Sequence, residues 1–178
     1  MAFDAFCYSV DGKPRIPGET QDDEMLKLGA FEVLSFELGA ENTINIGSIS
    51  GGGGAGKATF KEFTVTKKTD TASAGLFIAC VSGDHFNDMV VLLRRAAGVS
   101  GSGASGVTFM KFEMRLVMVQ DISWSGSDGD DVCEETVIFQ FGAIEVTYIP
   151  QDKSGKMLND SKKQQRWSRV KNNASLTV

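Results

Sequence analysis

A chain of 178 residues with 42% hydrophobic residues and a formal net charge of −5 is long enough to bury about two thirds of its unfolded surface as one domain, residues 1–178, without a metal or disulfide staple. No stretch approaches the roughly 20 apolar residues of a membrane-spanning helix, and the opening Met1-Ala2-Phe3-Asp4-Ala5-Phe6 has no basic region. The sequence therefore reads as a soluble protein with no direct membrane insertion and no cleavable secretory signal, so any export uses another route.

Phe3, Phe6, Tyr8 and Val10 begin a strand with imperfect alternation, ended by the turn residues Asp11 to Gly18, where two prolines exclude regular structure. The acidic stretch Glu19 to Glu24 reads as polar loop. Phe31 to Leu38 resumes as a strand with apolar residues on both faces: Glu32, Leu34, Phe36 and Leu38 on one, Phe31, Val33, Ser35 and Glu37 on the other. From Gly39 to Gly56 runs a long segment whose only large apolar residues are Ile44, Ile46 and Ile49. Connections of this length are functional or disordered, and three isoleucines favour function, because a solvated linker has no use for them.

Ser50 to Thr59 can be read in two ways. Gly51 to Lys57 has the spacing of a phosphate-binding loop, G-x-x-x-x-G-K-[ST], but the hydroxyl position is Ala58. Such a loop must also open a helix whose amides hold the anion, whereas Lys57 to Thr66 is rich in Thr, Phe and Val and reads as a strand. The G-x-G-x-x-G spacing of Gly51, Gly53 and Gly56, repeated at Gly101, Gly103 and Gly106, also runs into strands, so both are chance matches in a glycine-rich chain. The remaining readings are a flexible loop and, more sharply, an arm ordered only against another subunit.

Asp70 or Thr71 caps a helix running to about Val81, with Ala72, Leu76, Ala79 and Cys80 on one side and Gly83 as its stop. Met89 to Arg95 is ambiguous between helix and strand by pattern alone. The turn at Gly101 to Gly106 introduces the clearest strand, with Met110, Phe112, Met114, Leu116 and Met118 on one face and Lys111, Glu113 and Arg115 on the other. After the acidic loop Ser125 to Asp131, Val137, Phe139 and Phe141 occupy odd positions but Ile144, Val146 and Tyr148 even ones. The phase slips near Gly142, which predicts a bulge or sharp bend in a curling sheet.

Charge separates along the chain. Residues 1–150 carry 11 basic and 21 acidic side chains, residues 151–178 carry 7 and 2. A basic C-terminal segment beside an acidic body, without interleaved aromatics, points to self-docking or head-to-tail contact between copies rather than to nucleic acid. Cys7, Cys80 and Cys133 are widely spaced and odd in number, so they read as reduced, half-buried residues outside any disulfide or metal knuckle. His85 is the only histidine. Ser82, Asp84 and Asp88 lie near it, but nothing supplies a nucleophile elbow, and packing after the helix stop is the expectation. Asp128, Asp130 and Asp131 lack the ordered ligand pattern of a calcium loop and read as a solvated turn. No cofactor, metal or catalytic group is expected.

With these elements placed, the chain resembles the haemolysin-coregulated protein family, the tube-forming subunits of the type VI secretion system. The resemblance is carried by Met1 to Phe6, Gly18-Glu19-Thr20, Val33 to Phe36, the Gly51 to Lys57 loop, Phe63 to Lys67, Ala79 to His85, Phe139 to Phe141, Val146 to Gln151 and the pair Trp167 and Asn172. It implies a mainly β fold, a compact β-barrel or two-sheet domain with one short flanking α-helix, a long extended loop and a closing strand in residues 151–178. It also settles Met89 to Arg95 as a strand.

It further implies hexameric rings that stack into a tube, driven outward by a contracting sheath, with effector cargo in the lumen and sheath and tip proteins as partners. The protein would be cytoplasmic before firing and exported without a signal peptide. Ring-stacking candidates are Ile44, Ile46, Ile49, Gly51, Gly54, Gly56 and Lys57 in the 39–56 arm; lumen-facing candidates are Ser35 and Glu37. The Lys13 to Pro17 turn and the hairpin at 100–106 depart from the family pattern. A contractile-phage tail tube protein and a nucleotide-binding enzyme using Gly51 to Lys57 are the alternatives.

Overall fold

The computed structural model describes residues 3–10, 16–44, 55–95, 106–154 and 156–178, with the side chains at 43, 44 and 55–57 outside the description. In chain order the elements are β1 (Asp4–Ser9), α1 (Asp23–Lys27), β2 (Phe31–Val33), β3 (Ser35–Glu37), β4 (Ala40–Ile44), β5 (Ala55–Phe60), β6 (Phe63–Lys68), α2 (Thr71–Ser82), β7 (His85–Arg95), β8 (Val107–Ser125), β9 (Glu134–Tyr148) and β10 (Lys163–Ser168). The main sheet runs β2-β1-β7-β8-β9-β6-β3, with β10 also paired to β9, while β4 and β5 form a separate two-stranded sheet. Its end strands β2 and β3 are consecutive in the chain. Only Leu34 separates them, and its amide donates to the Thr66 carbonyl at 2.7 Å. The sheet therefore curls until its two ends meet.

The curl is concentrated in one row of residues. On β7 the buried positions pass from Phe86 to Met89, Val91 and Leu93; on β8 from Phe112 and Met114 to Val117 and Val119; on β9 from Val137, Phe139 and Phe141 to Ile144. Phe86 lies opposite Val117, which lies opposite Phe141, and the next full row is Asp88, Arg115 and Ala143. Between these rows sit Asn87, Leu116 and Gly142, where all three strands turn over together. Leu116 takes φ 51°. A Cβ at Gly142 would lie 3.2 Å from Leu116 Cβ and 2.8 Å from Val178 Cγ1, so a side chain there has no room. The slip expected near Gly142 is therefore present, but the continuous Met110 to Met118 face is not: past the bend Leu116 and Met118 are exposed and Val117 and Val119 take the core.

Other sequence expectations are corrected in the same way. Phe31 to Leu38 is two strands with different partners, because the bend at Leu34 lets Phe31 and Val33 face the core first and Phe36 and Leu38 afterwards. Lys57 to Thr66 is also two, β5 and β6, in different sheets. The ends of the Gly39 to Gly56 segment are not patternless, since Ala40 pairs with Phe60, Asn42 with Ala58 and Ile44 with Ala55 across a bulge. A short helix starts inside the acidic stretch read as loop: the Asp22 carboxylate accepts from the amides of Glu24 and Met25, both at 3.0 Å, and caps α1.

α1 presses Met25 onto Phe6, Ala30, Val90 and Leu92, the face of β1 and β7 that points away from the barrel. That covering explains why Met89 to Leu93 is apolar at every position: the strand is buried on both sides. Inside the barrel the rings of Phe36, Phe63 and Phe112 meet at centroid distances of 5.7 to 6.1 Å. α2 flanks the barrel and has the expected ends. Asp70 and Ser73 form its capping box, Gly83 ends it at φ 70°, and Ala72, Leu76 and Ala79 are buried.

Candidate functional site

The β4–β5 ribbon is the part of the arm that the structure describes. Its root is held at residues 39, 60 and 61. The Lys61 amide donates to the Gly39 carbonyl at 2.9 Å, and Lys61 lies so close over Gly39 that a Cβ there would be 2.9 Å from its Cδ. Phe60 meets Phe141 edge-on at 5.9 Å. Arg169, just past β10, donates from Nη1 to the Phe141 carbonyl at 3.0 Å and to Gln140 Oε1 at 2.9 Å, with its guanidinium carbon 5.1 Å from the Phe141 ring and 5.8 Å from the Phe60 ring.

Of the stacking candidates, Ile44 ends β4 and Gly56 and Lys57 lie inside β5, while Ile46, Ile49, Gly51 and Gly54 fall outside the described residues. Lys57 in a strand leaves the glycine loop without the following helix that phosphate binding requires. Ser35 and Glu37 are exposed on β3, opposite Thr66 and Thr64, with Phe36 turned inward between them.

A buried polar cluster that sequence reasoning missed ties α2 to the barrel. Lys67 Nζ, fully buried, contacts Glu135 Oε1 at 2.8 Å, Asp70 Oδ1 at 2.7 Å, Ser73 Oγ at 3.2 Å and the Lys68 carbonyl at 2.7 Å. Glu135, equally buried, also accepts from Ser73 Oγ at 2.9 Å and from Trp124 Nε1 at 2.7 Å. Its only signal in the sequence is that Lys67 continues the alternating core positions Phe63 and Val65, and that Glu135 precedes the alternating core positions Val137 and Phe139. A second ion pair links Arg94 to Asp22 at 2.9 Å and to Glu24, fastening α1. Burial alone would raise the Asp22 carboxyl, but the amides of Met25 and Glu24 and the Arg94 charge outweigh it and hold it below its ordinary value.

The remaining chemical candidates do not converge. His85 is exposed at the start of β7 rather than packed, because Gly83 and Asp84 turn the chain outward before the strand begins, and its amide donates to Asp84 Oδ1 at 2.8 Å. Asp88 pairs with Arg115 across the sheet instead. Asp128, Asp130 and Asp131 are exposed, with Asp130 accepting from the Ser127 amide at 2.8 Å. Among the described residues no group of three or more His, Cys, Asp or Glu side chains is placed to hold a metal. The cysteines are all free but are not uniformly half-buried: Cys7 is buried in the barrel, Cys80 is intermediate and Cys133 is exposed in the loop before β9. Burial pushes the Cys7 thiol far up, against the opposing charge of Lys67. On α2, Phe77, Ile78 and Val81 are exposed, with the Phe77 ring 5.9 Å from that of Trp124, an apolar face unusual for a solvated helix.

Residues 8–148 match the family described as type VI secretion system effector, Hcp. The chain belongs to the Hcp family. Protein hcp1 of Pseudomonas aeruginosa is 30% identical over 99 residues, which cover 56% of this chain and 58% of that relative, so the alignment spans less than two thirds of the relative's length. A solved structure described as a type six secretion system protein has 30% identity and a TM-score of 0.84, with 98% of this chain and 100% of that one covered. Hcp1 from Salmonella typhimurium, at 23% identity, shares the fold, with a TM-score of 0.73 over 98% of this chain and 100% of that one. The barrel, the flanking helix and the Hcp membership therefore agree with the resemblance read from the sequence. Among the described residues no helix is long and apolar enough to cross a membrane.

Proposed function

We propose that this chain is a structural subunit of the type VI secretion inner tube, and that its work is mechanical. Six copies close into a ring through non-identical patches, and a second heterologous contact that cannot close stacks the rings into an open-ended tube. Sheath contraction drives the tube outward from the cytoplasm, with sheath and tip proteins as partners and effectors carried in the lumen. The match of residues 8–148 to the Hcp family carries this reading.

The 39–56 arm is the ring-to-ring contact, with Ile44, Ile46, Ile49, Gly51, Gly54, Gly56 and Lys57 as the residues that make it. Ordering it costs about 1–2 kcal/mol per residue, which a lone subunit recovers poorly and a stacked ring recovers by burial. Ser35 and Glu37, exposed on β3, face the lumen and meet cargo. The fold is one domain over residues 1–178, and no catalytic role is assigned to any residue.

Electron microscopy of purified, concentrated protein tests the assembly: annular particles and stacked tubes are expected, and strictly single-subunit particles in every buffer would overturn it. Changing Glu37 to alanine is expected to alter cargo retention. Unchanged retention removes that residue from the lumen.

A further inference from the structure

We propose that Arg169 is a positioning residue for the β4–β5 ribbon: through Phe60 and Phe141 it sets the direction in which the arm leaves the barrel, and so the contact between stacked rings. This rests on the reading of the arm given above. Among the described residues β4 and β5 pair only with each other, so the ladder hydrogen bonds that hold every strand of the main sheet do not hold the ribbon. Its direction is left to side chains at the root.

Phe60 is the ribbon's partly buried contact with the core, and it meets Phe141 edge-on. The Arg169 guanidinium is fixed to β9 by its two hydrogen bonds, to the Phe141 carbonyl and to Gln140, and from that fixed position it faces both rings. The backbone is fixed as well, since the Arg169 amide donates to the Gly142 carbonyl at 2.8 Å, in the row where the sheet folds. Arm root, fold row and C-terminal segment thus meet at one side chain.

The planar guanidinium donates from Nη1 while its face stays turned to both rings, a geometry that the compact ammonium of a lysine on its flexible stem does not reproduce. The ribbon also works as a lever. With strands rising about 3.3 Å per residue, a tilt of about 10° at Phe60 moves the far end of a six-residue strand by roughly 3 Å, enough to misplace a packed contact.

The test uses the full chain with Arg169→Gln, Arg169→Lys and, from the other side of the contact, Phe60→Leu. Arg166→Gln is the control, because that guanidinium faces Glu145 and not the ribbon. Three kinds of readout are taken: thermal midpoint; hydrogen exchange of amides 55–60 in dispersed protein; and assembly, as ring content and as tube length at matched concentration. Both Arg169 variants and Phe60→Leu are expected to keep the thermal midpoint and ring content, to lose protection at 55–60 by roughly 2- to 30-fold, as for removal of a cation–π pair, and to give shorter tubes. Arg166→Gln is expected to match the unmodified protein in all three.

Unchanged protection at 55–60 in Arg169→Gln and Phe60→Leu overturns the proposal. Lost protection with tubes of full length also overturns it, because the root would then not govern the ring contact. A global fall in protection and midpoint would make Arg169 a general stabiliser and overturn it too. If the unmodified protein forms no tubes at all, the reading of the arm fails by itself, and the exchange data still decide whether Arg169 holds the root.

Discussion

α2 and the β4–β5 ribbon are both added to the barrel from outside, by opposite means. α2 buries Ala72, Leu76 and Ala79 completely and is locked at its N-terminus by a fully buried lysine and glutamate. The ribbon has one partly buried phenylalanine at its root, under a half-buried arginine. The helix should therefore open only when the barrel opens, while the ribbon can reorient at little cost in a folded subunit. An element that must find its place against another copy is better built the second way, because its ordering is completed by the contact it makes.

The largest expected effect lies on the helix side. Glu135→Leu leaves Lys67 without its fully buried carboxylate partner, and should cost about 3–5 kcal/mol in equilibrium urea unfolding. The double variant Lys67→Met, Glu135→Leu should recover much of that loss. A double variant as unstable as the single one would mean the cluster matters by shape rather than charge. Asp70→Ala removes the α2 cap and one arm of the same cluster, for an expected loss of about 1–2 kcal/mol.

Phe60→Leu should leave global stability nearly unchanged while loosening amides 55–60, because the ribbon shares no ladder with the main sheet. If it destabilises the whole protein as much as Glu135→Leu does, the contrast between helix and ribbon collapses. Thiol labelling sharpens the contrast further, since Cys133 should react quickly, Cys80 slowly, and Cys7 only on global unfolding because burial keeps its thiol neutral.

The smallest effect concerns pH. The folded-state value of Asp22 is depressed, so its contribution is complete above the ordinary carboxylate value near 4 and is lost as pH falls through the lower folded value. Asp22→Asn should therefore flatten the acid limb of the stability profile and leave the neutral plateau slightly lowered. An unchanged acid limb would place α1's attachment elsewhere, in Met25 and its apolar neighbours.

Local chemistry was legible from the chain by itself. The Asp70 and Gly83 stops bound α2, and the odd-to-even slip around Gly142 announced a bend, because capping, left-handed φ and alternation depend on residues close in sequence. Alternation put Ser35 and Glu37 on one face with Phe31 and Val33, and the bend at Leu34 separates the two pairs. Tertiary structure alone decided where strands break and which charges are buried. Leu34 and Leu116 carry no local break signal and turn over because the closing sheet requires it. Lys67 and Glu135, 68 residues apart, each stand in line with core positions of their own strand, but that they pair is decided only when the barrel brings them together. The root of the ribbon was hidden for the same reason: Phe60, Phe141 and Arg169 are distant in the chain, and a contact between them exists only once β9 has folded at Gly142 and the C-terminal segment has crossed it.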